Sequence, residues 1–230
     1  MNKFISNKTV IRQGILAGWP ICLGYLPIGL ALGVLAQKAG LTPFEIGIMS
    51  VFVFAGSSQF IAVSMISAGA TTAAIVATTF VVNLRHLLMS SALAVFFRKE
   101  KRSKLSLFAY GVTDESFAVN LVRLRQKDWD MNRSLLVNHS ANFVWIVSTV
   151  AGAYGGEFIP AGAFGIDYAL IAMFICLLIF QLHGKKYVIT AIMAGILAVI
   201  LSLIIPGNSY VIIASVLAAT LGVIFQKKYL

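Results

Sequence analysis

The charges of this chain are held apart from its long apolar runs. Every Lys and Arg except Arg85 falls in the N-terminal arm, at the C-terminal tip or in a short gap between runs, and Asp114 and Glu115 are the only acids set deep within one. This pattern belongs to a chain that crosses a bilayer many times. A charge at membrane depth costs roughly 3 kcal/mol or more unless it is paired or lines a wet cavity. Arg85, Asp114 and Glu115 are therefore the first functional candidates, and the architecture is that of a protein that moves a small solute.

Composition excludes the soluble classes. Hydrophobic residues make up 59% of the chain, charged residues 11%, and the mean hydropathy is +0.90, whereas a soluble domain carries about a quarter charged residues. The formal net charge of +10 does not indicate nucleic acid, because the basic residues flank apolar segments instead of forming a patch interleaved with aromatics. They read as anchors at the cytoplasmic face. Cys22 and Cys176 each lie within an apolar run, which supports neither a disulfide framework nor a zinc site. Lys3, Lys8 and Arg12 precede an apolar stretch too long for a signal peptide, so that stretch is read as a retained first span.

Spans of about 20 residues divide the chain into about seven to eight hydrophobic segments, near 15–36, 43–68, 71–97, 105–122, 134–153, 167–183, 187–205 and 210–226. The predicted fold is an all-α polytopic membrane protein forming a single transporter domain over residues 1–230. A broken-helix core occupies about 15–153 and scaffold spans about 167–226. Each of the first five segments is expected to break near its middle: at Pro20 to Gly33, at Ala55 to Gln59, at Asn83 to His86, at Gly111 to Ser116 and at Asn138 to Asn142. Broken helices at mid-membrane are how many transporters expose backbone donors and carbonyls to a solute. The pairs Gly14/Gly18 and Gly29/Gly33 have the spacing of close helix packing instead. Asn83-Leu84-Arg85-His86 and Asn138-His139 are a faint parallel between halves, hinting at an inverted repeat, although no stretch aligns well enough to define one.

Charge bias leaves one conflict. With both termini cytoplasmic, Glu157 and Asp167 are outside and Lys185 and Lys186 inside, as expected. The basic stretches 98–104 and 123–133 then fall on opposite sides if every segment spans. Either the first is external, or 105–122 is a re-entrant hairpin and an earlier broken segment also fails to cross.

The polar positions within apolar sequence form the candidate site. Arg85 needs a counter-charge, which Asp114 or Glu115 can supply, the three facing one another across a hydrated hollow. Gly56, Ser57, Ser58 and Gln59 suggest an unwound patch of hydroxyl, amide and backbone donors beside Phe52, Phe54 and Phe60. Asn83 belongs to the same expected break as Arg85, and Asn138 and Asn142 share a helix face. The substrate-binding set is thus Gly56, Ser57, Ser58, Gln59, Asn83, Arg85, Asp114, Glu115, Asn138 and Asn142. Asp114, Glu115, His86 and His139 are the candidates for proton coupling, imidazole and carboxyl being the groups that exchange protons most readily. Hydroxyl and small residues in this set serve helix packing equally well. No G-x-S-x-G, phosphate-loop or H-E-x-x-H motif occurs, so neither an enzyme nor a cofactor or metal is expected.

Several of these residues also carry a resemblance. The runs Gly18-Trp19-Pro20 and Pro27-Ile28-Gly29-Leu30-Ala31-Leu32-Gly33, then Phe54-Ala55-Gly56-Ser57-Ser58-Gln59-Phe60, Val82-Asn83-Leu84-Arg85-His86-Leu87-Leu88-Met89-Ser90 and Tyr110-Gly111-Val112-Thr113-Asp114-Glu115-Ser116-Phe117 resemble the AzlC family of branched-chain amino acid permeases. The resemblance implies a multi-pass protein of the bacterial inner membrane that exports valine, leucine, isoleucine and sometimes methionine with a small AzlD-type membrane subunit. A passive pore, or a structural membrane subunit without its own transport site, remains open as an alternative.

Overall fold

The computed structural model describes residues 7–126, 129–158, 168, 172, 175, 178–179, 182, 184–205 and 209–229, and their regular structure is helical throughout. Asp167, Cys176, His183 and most of the expected span 167–183 lie outside the described residues. The helices are α1 (Asn7–Lys38), α2 (Pro43–Phe52), α3 (Gly56–Ser67), α4 (Thr72–Ala94), α5 (Arg102–Tyr110), α6 (Asp114–Arg125), α7 (Met131–Gly155), α8 (Lys185–Ile204) and α9 (Ser209–Tyr229).

The frame is a parallel pair, α1 against α7. Gly14 meets Leu136, Gly18 meets Val137 and Ser140, Gly29 meets Ser148, and Gly156 meets Gln37, so both chains advance in the same direction along the contact. A Cβ on Gly33 would stand 2.6 Å from the Ala153 nitrogen and against the Thr149 and Gly152 backbone. With no side chain between them the two backbones touch, which is how small residues hold helices together where lipid provides no hydrophobic drive. The glycine pairs therefore serve packing.

Two of the five expected breaks are real. The second apolar run divides into α2 and α3 around Val53 to Ala55, and the fourth into α5 and α6 around Gly111 to Thr113. In each case the chain reverses. The Gln59 amide of α3 donates to Ser50 Oγ of α2 at 3.1 Å, a contact that helices laid end to end could not make. Likewise one Asn138 side chain donates to the Phe108 carbonyl of α5 at 3.1 Å and accepts from Asn120 of α6 at 2.9 Å. Thr113 starts α6 as an extended N-cap, accepting from the Ser116 amide at 3.3 Å while Ser116 Oγ accepts from the Thr113 amide at 2.9 Å. This reciprocal cap satisfies donors that the break would otherwise leave unpaired.

The hairpins enter from opposite ends of the frame. The first packs beside the C-terminal half of α7, where Ser50 and Thr149 hydroxyls bond at 2.8 Å. The second opens at the start of α7: Lys104 reaches Asn132 at 3.4 Å, and Arg123 and Arg133 both lie over the Trp129 ring, at 5.5 and 5.8 Å from its centroid. The stretches 98–104 and 123–126 consequently share one end of the molecule. Their tips converge midway along α1, where Tyr25 touches Phe54 of the first break and Thr113 of the second.

Three breaks and the span count need correcting. α1 runs unbroken for 32 residues through Pro20 and Pro27, because loss of single hydrogen bonds is tolerated where a neighbouring helix packs along the whole length. α4 continues through Asn83 to His86 and α7 through Asn138 to Asn142, since their polar side chains find partners across helix contacts without unwinding the backbone. Among the described residues, three helices are long and apolar enough to cross a membrane on those grounds: Lys8–Lys38, Thr72–Phe97 and Tyr187–Ile204. The expected seven to eight spans are thus not found. The α2/α3 and α5/α6 runs are pairs of helices of 9 to 12 residues, each too short to cross a core of about 30 Å at about 1.5 Å per residue. The faint Asn83 to His86 and Asn138 to His139 parallel does not mark an inverted repeat either: Asn138 is fully buried between the arms of the second hairpin, whereas Asn83 is partly exposed on α4.

Two outcomes follow from this arrangement. With Cys22 and Cys176 replaced by Ala, single cysteines at Ser103→Cys and Gln126→Cys will react with a membrane-impermeant maleimide from the same side of oriented vesicles; labelling from opposite sides would refute the hairpin. Gly33→Leu will force α1 from α7 and lower the thermal unfolding midpoint in detergent, at an overpacking cost of about 3 kcal/mol or more.

Candidate functional site

The two hairpin tips and the middle of α4 bring the ionic residues together. Arg85 Nη1 pairs with Asp114 Oδ2 at 2.7 Å, each side chain retaining 30% exposure. Arg85 Nη2 also donates to Ser57 Oγ at the start of α3. One guanidinium therefore ties the first hairpin to the second. One turn away, Ser58 Oγ donates to Asn83 Oδ1, a second link between α3 and α4. The expected charges meet in direct contact instead of facing one another across a hollow.

The other acid has a different setting. Glu115 Oε2 accepts from the Tyr25 hydroxyl at 2.6 Å, and Thr113 Oγ1 lies 2.8 Å from the same phenol oxygen. No salt bridge to Glu115 occurs among the described residues. Both carboxylates sit in the first turn of α6, where the amide dipoles favour negative charge. At the facing break, Ala55 caps α3 with no side-chain bond, leaving the first-turn amides of α3 as free donors at mid-depth.

Histidine and asparagine residues complete the centre. His86 Nδ1 lies 2.7 Å from the Val112 carbonyl; a carbonyl only accepts, so this nitrogen carries the proton and Nε2 is left as an acceptor. His86 Nε2, Arg85 Nε and His139 Nε2 are buried without partners. His139 stacks on Tyr110 with centroids 6.2 Å apart and an interplanar angle of 24°. Asn142 donates to the Tyr110 hydroxyl at 3.4 Å, and that hydroxyl donates to the Val51 carbonyl, binding the two tips once more.

The expected set is thus mostly brought together, with different duties. Ser57, Ser58, Asn83, Arg85, Asp114, Glu115 and His86 surround the tips. Gln59 is a structural hub, accepting from Trp145 Nε1 at 2.8 Å and donating to Ser50. Gly56 lies against Trp145, where a Cβ would come within 3.0 Å of the indole. Asn138 is occupied in clasping the second hairpin. Phe54 and Phe60 are buried, but Phe52 is 78% exposed and faces away. An open groove of about 360 Å³ lined by Val10, Ile11, Asn132, Leu135, Leu136 and His139 lies on the flank of the α1/α7 pair, apart from the ion pair. No group of three or more His, Cys, Asp or Glu able to hold a metal ion occurs among the described residues.

Tyr25, Tyr110 and Thr113 were not singled out from the sequence. Tyr25 carried a usable signal, since a buried phenol within a span needs a partner, but its partner stands 90 residues away.

Comparison with known proteins places this geometry. The model of the AzlC protein family matches residues 20–159, which hold both hairpins and all the residues named above from Tyr25 to Trp145. The chain belongs to the AzlC family. It is 28% identical over 228 residues to the inner membrane protein YgaZ of Escherichia coli, covering 96% of this chain and 92% of that protein. It is 29% identical over 228 residues to the branched-chain amino acid transport protein AzlC of Bacillus subtilis, covering 97% and 87%. An uncharacterized membrane protein of Archaeoglobus fulgidus matches at 29% over 220 residues, covering 94% and 95%. No solved structure matches. Together with three helices long and apolar enough to cross a bilayer among the described residues, family membership makes this chain a multi-pass membrane protein, one relative of which is named for the inner membrane and another for branched-chain amino acid transport.

Replacing Arg85 by Gln will leave Asp114 at mid-depth without its cation and separate the tips. The loss will be about 3 kcal/mol, the lower end for a broken buried pair because both groups keep some exposure, and Arg85→Gln combined with Asp114→Asn will recover part of it. Thermal unfolding of the two variants in detergent checks this.

Proposed function

We propose that this protein is a secondary transporter exporting branched-chain amino acids, valine, leucine and isoleucine and also methionine, in exchange for protons, and that it works with a small AzlD-type membrane subunit. The observation that carries this reading is the opposed charge set at the hairpin tips, Arg85 and the free first-turn amides of α3 facing Asp114 and Glu115 at the start of α6. A branched-chain amino acid is a zwitterion with a compact apolar side chain. Its carboxylate suits the guanidinium and the α3 amides, where half-helix N-termini favour anions, and its ammonium suits the carboxylates. Phe54, Tyr25 and Trp145, in edge contact at 6.2 and 5.2 Å, supply an apolar wall beside them.

The name of the Bacillus subtilis relative supports the substrate class. Similarity over nearly the whole length of both proteins supports a shared architecture. The absence of a nucleotide-binding motif from the sequence leaves an ion gradient to drive uphill movement, and intramembrane carboxyls are the usual carriers of protons.

With its partner subunit in liposomes, the protein will accumulate labelled leucine against its gradient when a pH difference is imposed and will only equilibrate it when the difference is collapsed. Accumulation independent of the pH difference would refute proton coupling. Leucine counterflow is expected of a carrier, and its absence together with non-saturable flux would make the protein a pore.

A further inference from the structure

The two acids of the Asp114-Glu115 pair are adjacent in sequence but have different neighbours. Asp114 has its cation in Arg85 at 2.7 Å. Glu115 has a neutral phenol at 2.6 Å, and no cation bonds it among the described residues. A carboxylate in that position at membrane depth gains a hydrogen bond but no compensating charge, so it calls for either a proton or an external cation. The polar and titratable groups of the hairpin tips are Tyr25 on α1, Ser57 on α3, Arg85 and His86 on α4, and Thr113 and Asp114 beside Glu115, with Tyr110 of α5 joined to Val51 and in contact with His139 and Asn142 of α7. Arg85 is the one permanent cation of this group, and it is engaged with Asp114 and Ser57.

His86 adds a second, independent sign. Its proton is committed to the Val112 carbonyl, and its Nε2 is a buried lone pair without a donor. The ring is anchored on Val112, one residue before the Thr113 cap of the helix that carries Glu115. An uncompensated carboxylate and an unfilled imidazole lone pair together are the complement of a primary ammonium, which carries one positive charge and three N–H donors. On the other side, Arg85 Nε is a buried donor without an acceptor, available to a carboxylate.

From this we infer that Glu115 is the exchange group of the transporter, holding either a proton or the ammonium of the amino acid but never both, while Asp114 remains the fixed partner of Arg85. The inference rests on the transport reading above and specifies how coupling is achieved. When leucine binds, the Glu115 carboxyl gives its proton to water on the side then open, and the leucine ammonium, already protonated in solution, takes the vacated place as an ion pair. When leucine leaves, Glu115 takes a proton from the opposite side. No covalent bond forms, and one proton is exchanged per amino acid.

The test uses the purified full-length protein with its partner subunit, labelled leucine and a pH-indicator dye in weak buffer. Leucine binding will release about one proton per leucine bound, and leucine affinity will weaken by up to tenfold per pH unit on the acid side as protons compete for the same carboxyl. Glu115→Gln will bind leucine weakly, without proton release and without this pH dependence. Tyr25→Phe keeps the carboxyl and removes only its phenol partner, so proton release on leucine binding will persist in this variant. Unchanged proton release in Glu115→Gln, or loss of proton release in Tyr25→Phe with leucine still bound, overturns the assignment. Leucine binding by the parent protein without any proton release overturns this inference alone, whereas no leucine binding at any pH overturns the transport reading and this inference with it.

Discussion

Arg85 bonds both hairpin tips as an ion, pairing with Asp114 of the second and donating to Ser57 of the first. Two backbone breaks at membrane depth are costly by themselves, because each exposes amides and carbonyls that lipid cannot satisfy. Their convergence makes them tolerable: the start of α6 is capped by Thr113, and the tips are bonded to one another through Arg85 and through the Tyr110 hydroxyl on the Val51 carbonyl and walled by Tyr25, Phe54 and Trp145. The polar centre is thus a structural necessity of the re-entrant chain as well as the place where a solute can be recognised.

The dual role explains why packing and chemistry are hard to separate here. Gln59 and Asn138 are as buried and as polar as any residue of the centre, yet their hydrogen bonds are committed to Ser50, Trp145, Phe108 and Asn120. Arg85 Nε and His86 Nε2 still have bonding capacity unused. Satisfied groups build the walls, and unsatisfied ones face the work.

Some of this was legible in the amino-acid order. Charge segregation was enough for the bilayer, because the cost of a stray charge in lipid is large and local. The breaks at Ala55 to Gln59 and Gly111 to Ser116 were legible because a glycine followed by a cluster of polar side chains interrupts an otherwise apolar run. The supposed breaks at Pro20, Asn83 and Asn138 were misread for the opposite reason: whether a proline or an asparagine disrupts a helix depends on what a distant helix offers it. Tyr25 was overlooked for the same cause. The span count failed because apolar length does not distinguish a crossing helix from two arms of a hairpin, a matter decided by the Ser50 to Gln59 and Asn120 to Asn138 contacts.

The glycine seam between α1 and α7 has a mechanical corollary. Where backbone lies on backbone, as at Gly33 and Ala153, neither helix has a compliant side chain with which to slide or tilt, so the pair acts as a stiff axle. The hairpins pack against it from opposite ends, the first through the buried side chains of Ile46, Phe54 and Phe60. Because Arg85 and Tyr110 join the two tips to each other, the molecule has two doors hung on one fixed post and latched together at the middle.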